Sequence, residues 1–453
     1  MPAWGIIRGN NLLEALQGVT DDITQKITPA QLIAAQQEMK ALAEKSPETL
    51  CRCTQDISEA IICNTAERKG LDLRFYHEVL SFQQHEHHVA VLVNSRETDE
   101  PYTITADYMI AADGANSPLR TSLNVPTSGN ISGKDLLNIY FEADLEQLVK
   151  GQEFSQFLID QPDVTSFLLT INNKNNWAFH LRYHPEIGET LADYPEDRIV
   201  AVLHRILGIP DLEIKLLKVL PWQLTVSIAE DMRIGRIFLA GDAAHTMTPY
   251  AGKGANAGIQ DAQNLAWKLA AVLNNKAGEE LLNTYDMERQ PVGAYYANIS
   301  GELAHENGLI NDSLMITKGK DLLGVPNYGY WSSAVIRETG RSFTYFTGEP
   351  GTRVPHLWLD DVQQGSTLDC IRGAFTLIAT EADNWLAEIE DVRQLIGMVI
   401  KLVIIDDERT LTQWQDVTSS TKHEAFLVRP DDFIAARLTP GSLLTTMRTI
   451  LSF

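Results

Sequence analysis

The chain has 453 residues, 44% of them hydrophobic and 21% charged. That composition belongs to folded domains and excludes disorder as the main state, because enough apolar material is present to offset chain entropy. Thirty-seven basic residues stand against 60 acidic ones, a formal net charge of −23, which repels phosphate backbones and anionic lipid and argues against nucleic-acid or membrane-surface partners.

At roughly 100–200 residues per domain the length predicts about three domains. No apolar run approaches the ~18 residues of a membrane span. The opening M-P-A-W-G-I-I-R-G-N-N lacks a basic segment followed by an apolar one, so no signal peptide is read there. Four cysteines are too few for a disulfide scaffold, and a reducing, cytoplasmic setting is the expectation.

In chain order, apolar spacing predicts a helix over Pro29–Lys45. A second helix is expected from about Asp56 to Gly70, where glycine ends it. Strands are predicted at Leu71–Phe82 and Val89–Asn94, joined by Q-Q-H-E-H-H, then at Tyr102–Met109 running into I-A-A-D-G. Between Leu136 and Tyr183 four alternating runs (L-N-I-Y-F-E-A, F-L-I-D, S-F-L-L-T-I, W-A-F-H-L-R-Y) read as antiparallel strands. A helix follows at Pro195–Leu207, then the buried strand R-I-F-L-A-G-D, a Gly-rich loop and a long helix from about Asn256 to Leu273. Arg289-Gln290-Pro291 is expected to punctuate the next helix, and Val325–Arg353 to be a linker. Beyond it lie strands at Phe375–Ala379 and Leu402–Asp406 and the string A-F-L-V-R-P-D-D-F-I-A.

Two motifs carry chemistry. In residues 236–269 a buried strand delivers Asp242 at its carboxyl end, where open α/β sheets bind ligands. Gly252, Gly254 and Gly258 let backbone approach a ligand closely, and the next helix aims its positive N-terminus at that loop. Such a site suits an anionic or electron-rich acceptor; a structural strand–turn–helix corner is the plainer alternative. The second motif, D-Y-M-I-A-A-D-G-A-N-S-P-L-R, ends a strand at Asp113-Gly114, with Ser117 and Arg120 opening a helix. Asp113 could bind a sugar or merely cap the helix, and Arg120 could neutralise a diphosphate.

Together, D-G-A-N-S-P-L-R and G-D-A-A-H-T-M-T-P-Y-A-G-K-G-A-N-A-G-I-Q-D-A-Q-N-L-A-W-K-L resemble the D-G and G-D motifs of the single-component FAD-dependent aromatic hydroxylases, in their phenol and polyketide branch. L-L-N-T-Y-D-M-E-R-Q-P-V, P-G-T-R-V-P-H-L-W-L and A-F-L-V-R-P-D-D-F-I-A-A-R agree with that resemblance, which covers about residues 50–437. It implies an α/β fold: a Rossmann-like FAD/NAD(P)-binding domain without its N-terminal part, an antiparallel substrate sheet and a thioredoxin-like C-terminal domain. The expected divisions are 1–130 and 231–325 for the FAD-binding part, 131–230 for the substrate sheet and 326–453 for the C-terminal domain.

The resemblance implies FAD, NAD(P)H as electron donor, O2, and a small aromatic substrate that is hydroxylated. Asp242 would bind the ribityl chain, and Pro249 would lie beside the reactive part of the flavin ring. Gly252 would shape the loop, and the N–H groups of Gly254, Ala255 and Asn256 would face the pyrimidine edge. Gln55 would contact ribityl or phosphate, Asp113 the diphosphate or ribose, and Arg120 the nicotinamide donor. Tyr250-Ala251 departs from the family's more usual Thr-Gly. No G-x-G-x-x-G precedes Gln55, so an incomplete diphosphate site and weak FAD binding by this chain alone are expected. Two other readings stay open: an inactive truncated paralogue or dimer partner, and a same-fold epoxidase or Baeyer–Villiger-type oxygenase.

Weaker signals read structurally. Q-H-E-H-H is a polar hairpin turn rather than a metal site, the cysteines are structural thiols, and Asp406-Asp407-Glu408 is a solvated turn. With Cys370 as its single cysteine the C-terminal domain should do no dithiol chemistry and serves packing or dimer contacts. Trp177, Trp222 and Trp267 line a pocket or, more plainly for Trp267, pack in a core.

Overall fold

A computed structural model describes residues 6–17, 37, 40, 41, 43–48, 53–129, 131–161, 164–249, 252–303, 327–337, 342–360 and 362–453. The helix expected over Pro29–Lys45 falls largely outside them.

The chain starts with β1 (Ile6–Gly9) and α1 (Leu12–Leu16), capped by the Asn11 side chain. Next comes α2 (Gln55–Arg68), none of whose residues is buried; Ile57, Ile61 and Ile62 are all more than half exposed. The strand expected from Leu71 begins only at His77, because Tyr76 turns the chain with φ +58. A meander of β2 (His77–Gln84), β3 (Val89–Ser95) and β4 (Glu100–Ala106) follows. The His-rich string is its β2–β3 turn, with His85 and His88 stacked, and no metal-holding cluster occurs among the described residues.

The predicted strand Tyr102–Met109 divides. β4 ends at Ala106, and β5 (Met109–Ala111) joins a different sheet. After α3 (Pro118–Ser122) and β6 (Thr127–Ser128) the chain enters the largest sheet. Its strands are β7 (Ile131–Glu142), followed by α4 (Glu146–Val149), then β8 (Gln156–Gln161), β9 (Val164–Thr170), β10 (Asn176–Arg182), α5 (Glu196–Leu207) and β11 (Lys215–Thr225). The order is β1-β8-β9-β10-β7-β11, with β1 parallel to β8 and the other pairs antiparallel. The opening strand, expected with the FAD-binding part, therefore pairs here. Leu12, Ala15 and Leu16 of α1 share a core with Phe157 and Ile159.

One face of this sheet is backed by helix. Ile199, Leu203, Ile206 and Leu207 recur at helix spacing on α5 and pack against Phe141, Trp177 and Phe179. Trp177 is fully buried, and its indole N–H donates to the Ala143 carbonyl at 3.0 Å. Core packing, not a pocket, is its role.

β12 (Ser227–Ala229) and β13 (Arg233–Ile234) lead to β14 (Ile237–Leu239), which pairs in parallel with β5; β15 (His245–Thr246) pairs with β12. Two long helices follow, α6 (Lys253–Leu273) and α7 (Asn283–Leu303), and α7 runs through Pro291 instead of breaking there. The expected linker is not passive: Tyr328 and Tyr330 are buried, and Tyr330 stacks on Phe433 at 4.2 Å.

The C-terminal unit comprises β16 (Thr376–Ala379), α8 (Leu386–Leu395), β17 (Lys401–Ile404), α9 (Glu408–Thr418), β18 (Ala425–Val428), β19 (Ile434–Leu438) and α10 (Leu443–Ile450). Its sheet order is β17-β16-β18-β19. Asp407 caps α9 by accepting from the Thr410 N–H at 2.9 Å, so the acidic string is a cap and not only a solvated turn. Trp267 packs edge-on to Phe375 at 5.5 Å, as expected of a core residue.

A buried ionic cluster joins this unit to the long helices. Glu288 accepts from Arg429 at 2.6 and 2.8 Å and from Lys268 at 2.8 Å, and all three side chains are inaccessible. Burial alone would raise the Glu288 pKa; Arg429 and Lys268 outweigh it and hold the carboxyl far below the usual range. Its contribution to stability is therefore present above the ordinary carboxylate pKa and is lost only as pH falls through the depressed folded value. Glu288→Ala should cost about 3–5 kcal/mol in urea unfolding at neutral pH, because Lys268 is left buried without its carboxylate and Arg429 keeps only Asp431. In wild type this contribution should survive at pH 4, where exposed carboxylates are already titrating.

Candidate active site

Parallel strands β5 and β14 run in register, Ile237 against Met109 through Leu239 against Ala111. Each releases an acidic turn at its carboxyl end, so Asp113 and Asp242 emerge from neighbouring strands at one edge of the sheet. The Asp113 carboxylate accepts from the Ser117 hydroxyl at 2.5 Å and from the Leu119 N–H at 3.0 Å. Ser117 in turn accepts from the Arg120 N–H at 2.9 Å. The Arg120 guanidinium donates to the Ala243 carbonyl at 2.8 Å and the Ala115 carbonyl at 2.9 Å. In this arrangement Asp113 organises the start of α3, and Arg120 is a strut between the two turns.

The Asp242 turn is set from behind by one carboxylate. Fully buried Asp261, on α6, accepts from the Gly241 N–H at 3.0 Å, from His245 Nε2 at 2.8 Å and from Arg289 Nε at 2.7 Å. Burial alone would raise the Asp261 pKa; the Arg289 charge, with help from His245, outweighs it and keeps the group ionised. Arg289 also donates to the Ala257 carbonyl and to the hydroxyls of Tyr328 and Tyr330. Gly241 has φ +61, a conformation that favours glycine. Opposite it a Cβ on Gly258 would lie 3.2 Å from the Gly241 Cα, so α6 packs directly on the turn. Downstream, the Thr248 hydroxyl donates to the Ser300 carbonyl at 2.7 Å and anchors the loop to α7.

The front of the turn is open. Asp242 is exposed, although the protein around its carboxyl raises the pKa by desolvation, with His245 opposing. A Cβ on Gly252 would meet nothing within 4 Å, and one on Gly254 only Met247 at 3.8 Å and Asp242 at 4.0 Å. Helix α6 begins at Lys253, three residues before the expected Asn256. The N–H groups left without an intrahelical acceptor are therefore those of Lys253, Gly254 and Ala255. Asn256 instead reaches back, its side-chain amide donating to the Gly252 carbonyl at 2.7 Å.

Lys253 adds a charge. Its amine lies 5.2 Å from the centre of the buried Tyr296 ring, and burial pulls its pKa down to about 8. The edge thus presents one carboxylate acceptor, three backbone donors and glycine-cleared space, while the Lys253 ammonium packs over Tyr296 at the same helix start. That donor set suits a planar anionic group carrying hydroxyls.

Asp242, Gly252, Gly254, Ala255 and Asn256 come together here, with Pro249 exposed beside them; the Gly252 N–H donates to its carbonyl at 3.1 Å. Tyr250 and Ala251 lie outside the described residues. Asp113 and Arg120 are joined to this turn through Ala243, whereas the Gln55 side chain donates to Glu59 on its own helix at 2.5 Å. Sequence reasoning passed over Lys253, His245, Asp261 and Arg289. The first three lie inside the quoted G-D string and Arg289 in the Arg289-Gln290-Pro291 punctuation, but all look like ordinary polar helix and loop positions until the chain folds.

Residues 11–299 match the family model described as FAD binding domain, and residues 347–452 the model described as aromatic-ring hydroxylase, C-terminal. A putative polyketide hydroxylase of Streptomyces halstedii is 33% identical over 450 residues, covering 91% of this chain and 80% of that one. The tetracenomycin A2 monooxygenase-dioxygenase of Streptomyces glaucescens is 32% identical, over 99% of this chain and 82% of the relative. Among solved structures, a ternary complex of aklavinone-11 hydroxylase with FAD and aklavinone superposes with a TM-score of 0.84 at 26% identity, covering 99% of this chain and 85% of that one. This chain spans about four fifths of the length of these two sequence relatives.

Gly258→Ala tests the packing of the turn. The added methyl would push α6 away from Gly241 backbone, and overpacking of this kind costs about 1–3 kcal/mol. Chemical unfolding should register the loss, whereas alanine at Gly254, where only Met247 and Asp242 come within 4 Å, should change stability little.

Proposed function

This chain belongs to the FAD-binding aromatic-ring hydroxylases, and from that premise we propose that the edge between Asp242 and Ala255 holds the flavin for hydroxylation of an aromatic small molecule of the polyketide or phenol type. FAD, when bound, supplies hydride acceptance from NAD(P)H and the activation of O2 that delivers one oxygen atom to the ring. The protein supplies binding, orientation and electrostatics.

The observation that carries this reading is the open helix N-terminus facing a strand-end carboxylate across cleared space. Those residues fit the ring and ribityl parts of FAD. Asp242 accepts from a ribityl hydroxyl. The N–H groups of Lys253, Gly254 and Ala255, with the Lys253 ammonium, stabilise negative charge at the pyrimidine edge. Pro249 flanks the ring. Gln55 serves the ribityl or phosphate region, although its side chain now pairs with Glu59 and would have to turn.

For Asp113 and Arg120 we propose indirect parts. The Asp113 carboxylate is engaged by Ser117 and Leu119, and the Arg120 guanidinium by two carbonyls. Both therefore act on the cofactor through loop position rather than as a free acceptor and a free cation. On this reading the aromatic substrate lies against the large sheet, on the face away from α5.

Titration of the purified protein with FAD tests the reading. A saturable shift of the flavin spectrum and quenching of flavin emission are expected, followed by NAD(P)H oxidation that an aromatic substrate stimulates. A spectrum that remains that of free FAD at all concentrations would overturn it. Lys253→Met should weaken FAD binding roughly tenfold, equivalent to ~1.4 kcal/mol. The sign with pH follows from the amine: it is charged below about pH 8 in the free protein. Wild-type affinity should therefore fall as pH rises through and beyond that value, while the Lys253→Met protein stays flat there.

A further inference from the structure

Helix α6 and the C-terminal unit enclose a cavity of about 260 Å³ between them. Asn256, Ile259, Gln260 and Gln263 form its helical wall; they stand at i, i+3, i+4 and i+7 and so share one face of α6. The opposite wall is the turn between β18 and β19, with Asp432 and Phe433, and Arg353 alongside. Backbone fixes that wall: the Val354 N–H donates to the Asp432 carbonyl at 3.0 Å, and Arg353 pairs with Phe433 in an antiparallel bridge. Tyr330, stacked on Phe433 at 4.2 Å, adds an aromatic surface, and Ile259, 59% exposed, an apolar side chain from the helix. The cavity begins at Asn256 and runs away from the flavin edge toward Gln263, seven residues or about 10 Å along α6.

Two charges in this cavity are left unmatched. Arg353 and Asp432 sense each other electrostatically, yet among the described residues the Arg353 guanidinium has no hydrogen-bond or ion-pair partner. Asp431, next in the chain, is by contrast committed to Arg429 at 2.9 and 2.5 Å. Burial works against both members of the unmatched couple. It pulls the Arg353 pKa below the usual range although Asp432 opposes it, and raises that of Asp432 although Arg353 and a Gln263 donor oppose it.

A desolvated cation and a desolvated anion that do not join each other gain from a group that accepts from one and donates to the other. A carboxylate would satisfy Arg353 but repel Asp432, and an amidinium would do the reverse. A primary carboxamide serves both through its two ends and brings no net charge. The aromatic wall suits a flat ring, and 260 Å³ is below the usual range of drug-sized pockets, so it suits a single one. We propose that this cavity binds a small aromatic carboxamide, its carbonyl accepting from Arg353, its NH2 donating to Asp432 and its ring lying on Phe433 and Tyr330. No flavin group enters the assignment, so it stands apart from the reading of the Asp242 edge.

Three probes of one shape test it on the purified full chain: benzamide, benzoate and benzamidine, each titrated by ligand-observed NMR. Benzamide should bind saturably and about tenfold more tightly than the other two, the worth of roughly one hydrogen bond to a charged group. Arg353→Met keeps the stem and removes the fork, and benzamide binding should fall about tenfold. Asp432→Asn suits the left-handed backbone there, φ +70, and ends the repulsion of benzoate, which should come within about twofold of benzamide. That variant exchanges a single polar group, so it decides the matter even where Arg353→Met folds poorly. Added FAD should leave benzamide bound. Displacement of benzamide by NAD+ would identify the nicotinamide amide as the natural group, and its absence a free aromatic amide; the ligand class stands in both cases. Saturable binding of none of the three probes, a preference unaltered in Asp432→Asn, or displacement by FAD would overturn the assignment.

Discussion

The buried carboxylate of Asp261 is the contact on which the site depends. It fixes the Gly241 backbone, orients His245 and neutralises Arg289, so that strand end, loop and both long helices meet at one side chain. The next residue back along α7, Glu288, faces the other way in function, binding Arg429 and Lys268. Adjacent residues on one helix thus tie the turn in front to the C-terminal unit behind. Buried ion pairs of this kind add little net stability against their desolvation cost, but removing one partner is severe. What they secure here is the placement of α6, and with it the direction in which its N-terminus points.

That direction matters because the chain as a whole opposes an anionic cofactor, with a net charge of −23. Attraction has to come from local features: the open amides at the start of α6 and the desolvated Lys253. At contact distance such groups outweigh a diffuse negative field, since exposed charges more than ~10 Å away are largely screened by salt. Asp242, at the same edge, is a hydrogen-bond acceptor whose surroundings make its own charge harder to hold.

Much of this was legible in the sequence. The order of the two acid turns, the four antiparallel runs, the amphipathic α5 and the long helix after the Gly-rich loop all follow from local periodicity and punctuation. What escaped was set by contacts distant in sequence. The break at Asp107-Tyr108 occurs because β5 pairs with β14, far along the chain. Ile6–Gly9 carries no sign that it will pair with β8. The expected linker held a buried aromatic cluster because Tyr328 and Tyr330 answer Arg289 and Phe433. Asp113 and Arg120 were singled out in the sequence, but not the contacts they make: Asp113 accepts from Ser117 and Leu119, and Arg120 donates to the Ala243 and Ala115 carbonyls.

The measurement that bears most directly on the account is the fate of molecular oxygen. With FAD, NAD(P)H and an aromatic substrate of the polyketide or phenol type, reaction under oxygen-18 gas should yield an aromatic product carrying one heavy oxygen atom derived from O2. Consumption of NAD(P)H with all the heavy oxygen recovered as hydrogen peroxide or water, and none in the aromatic ring, would contradict it.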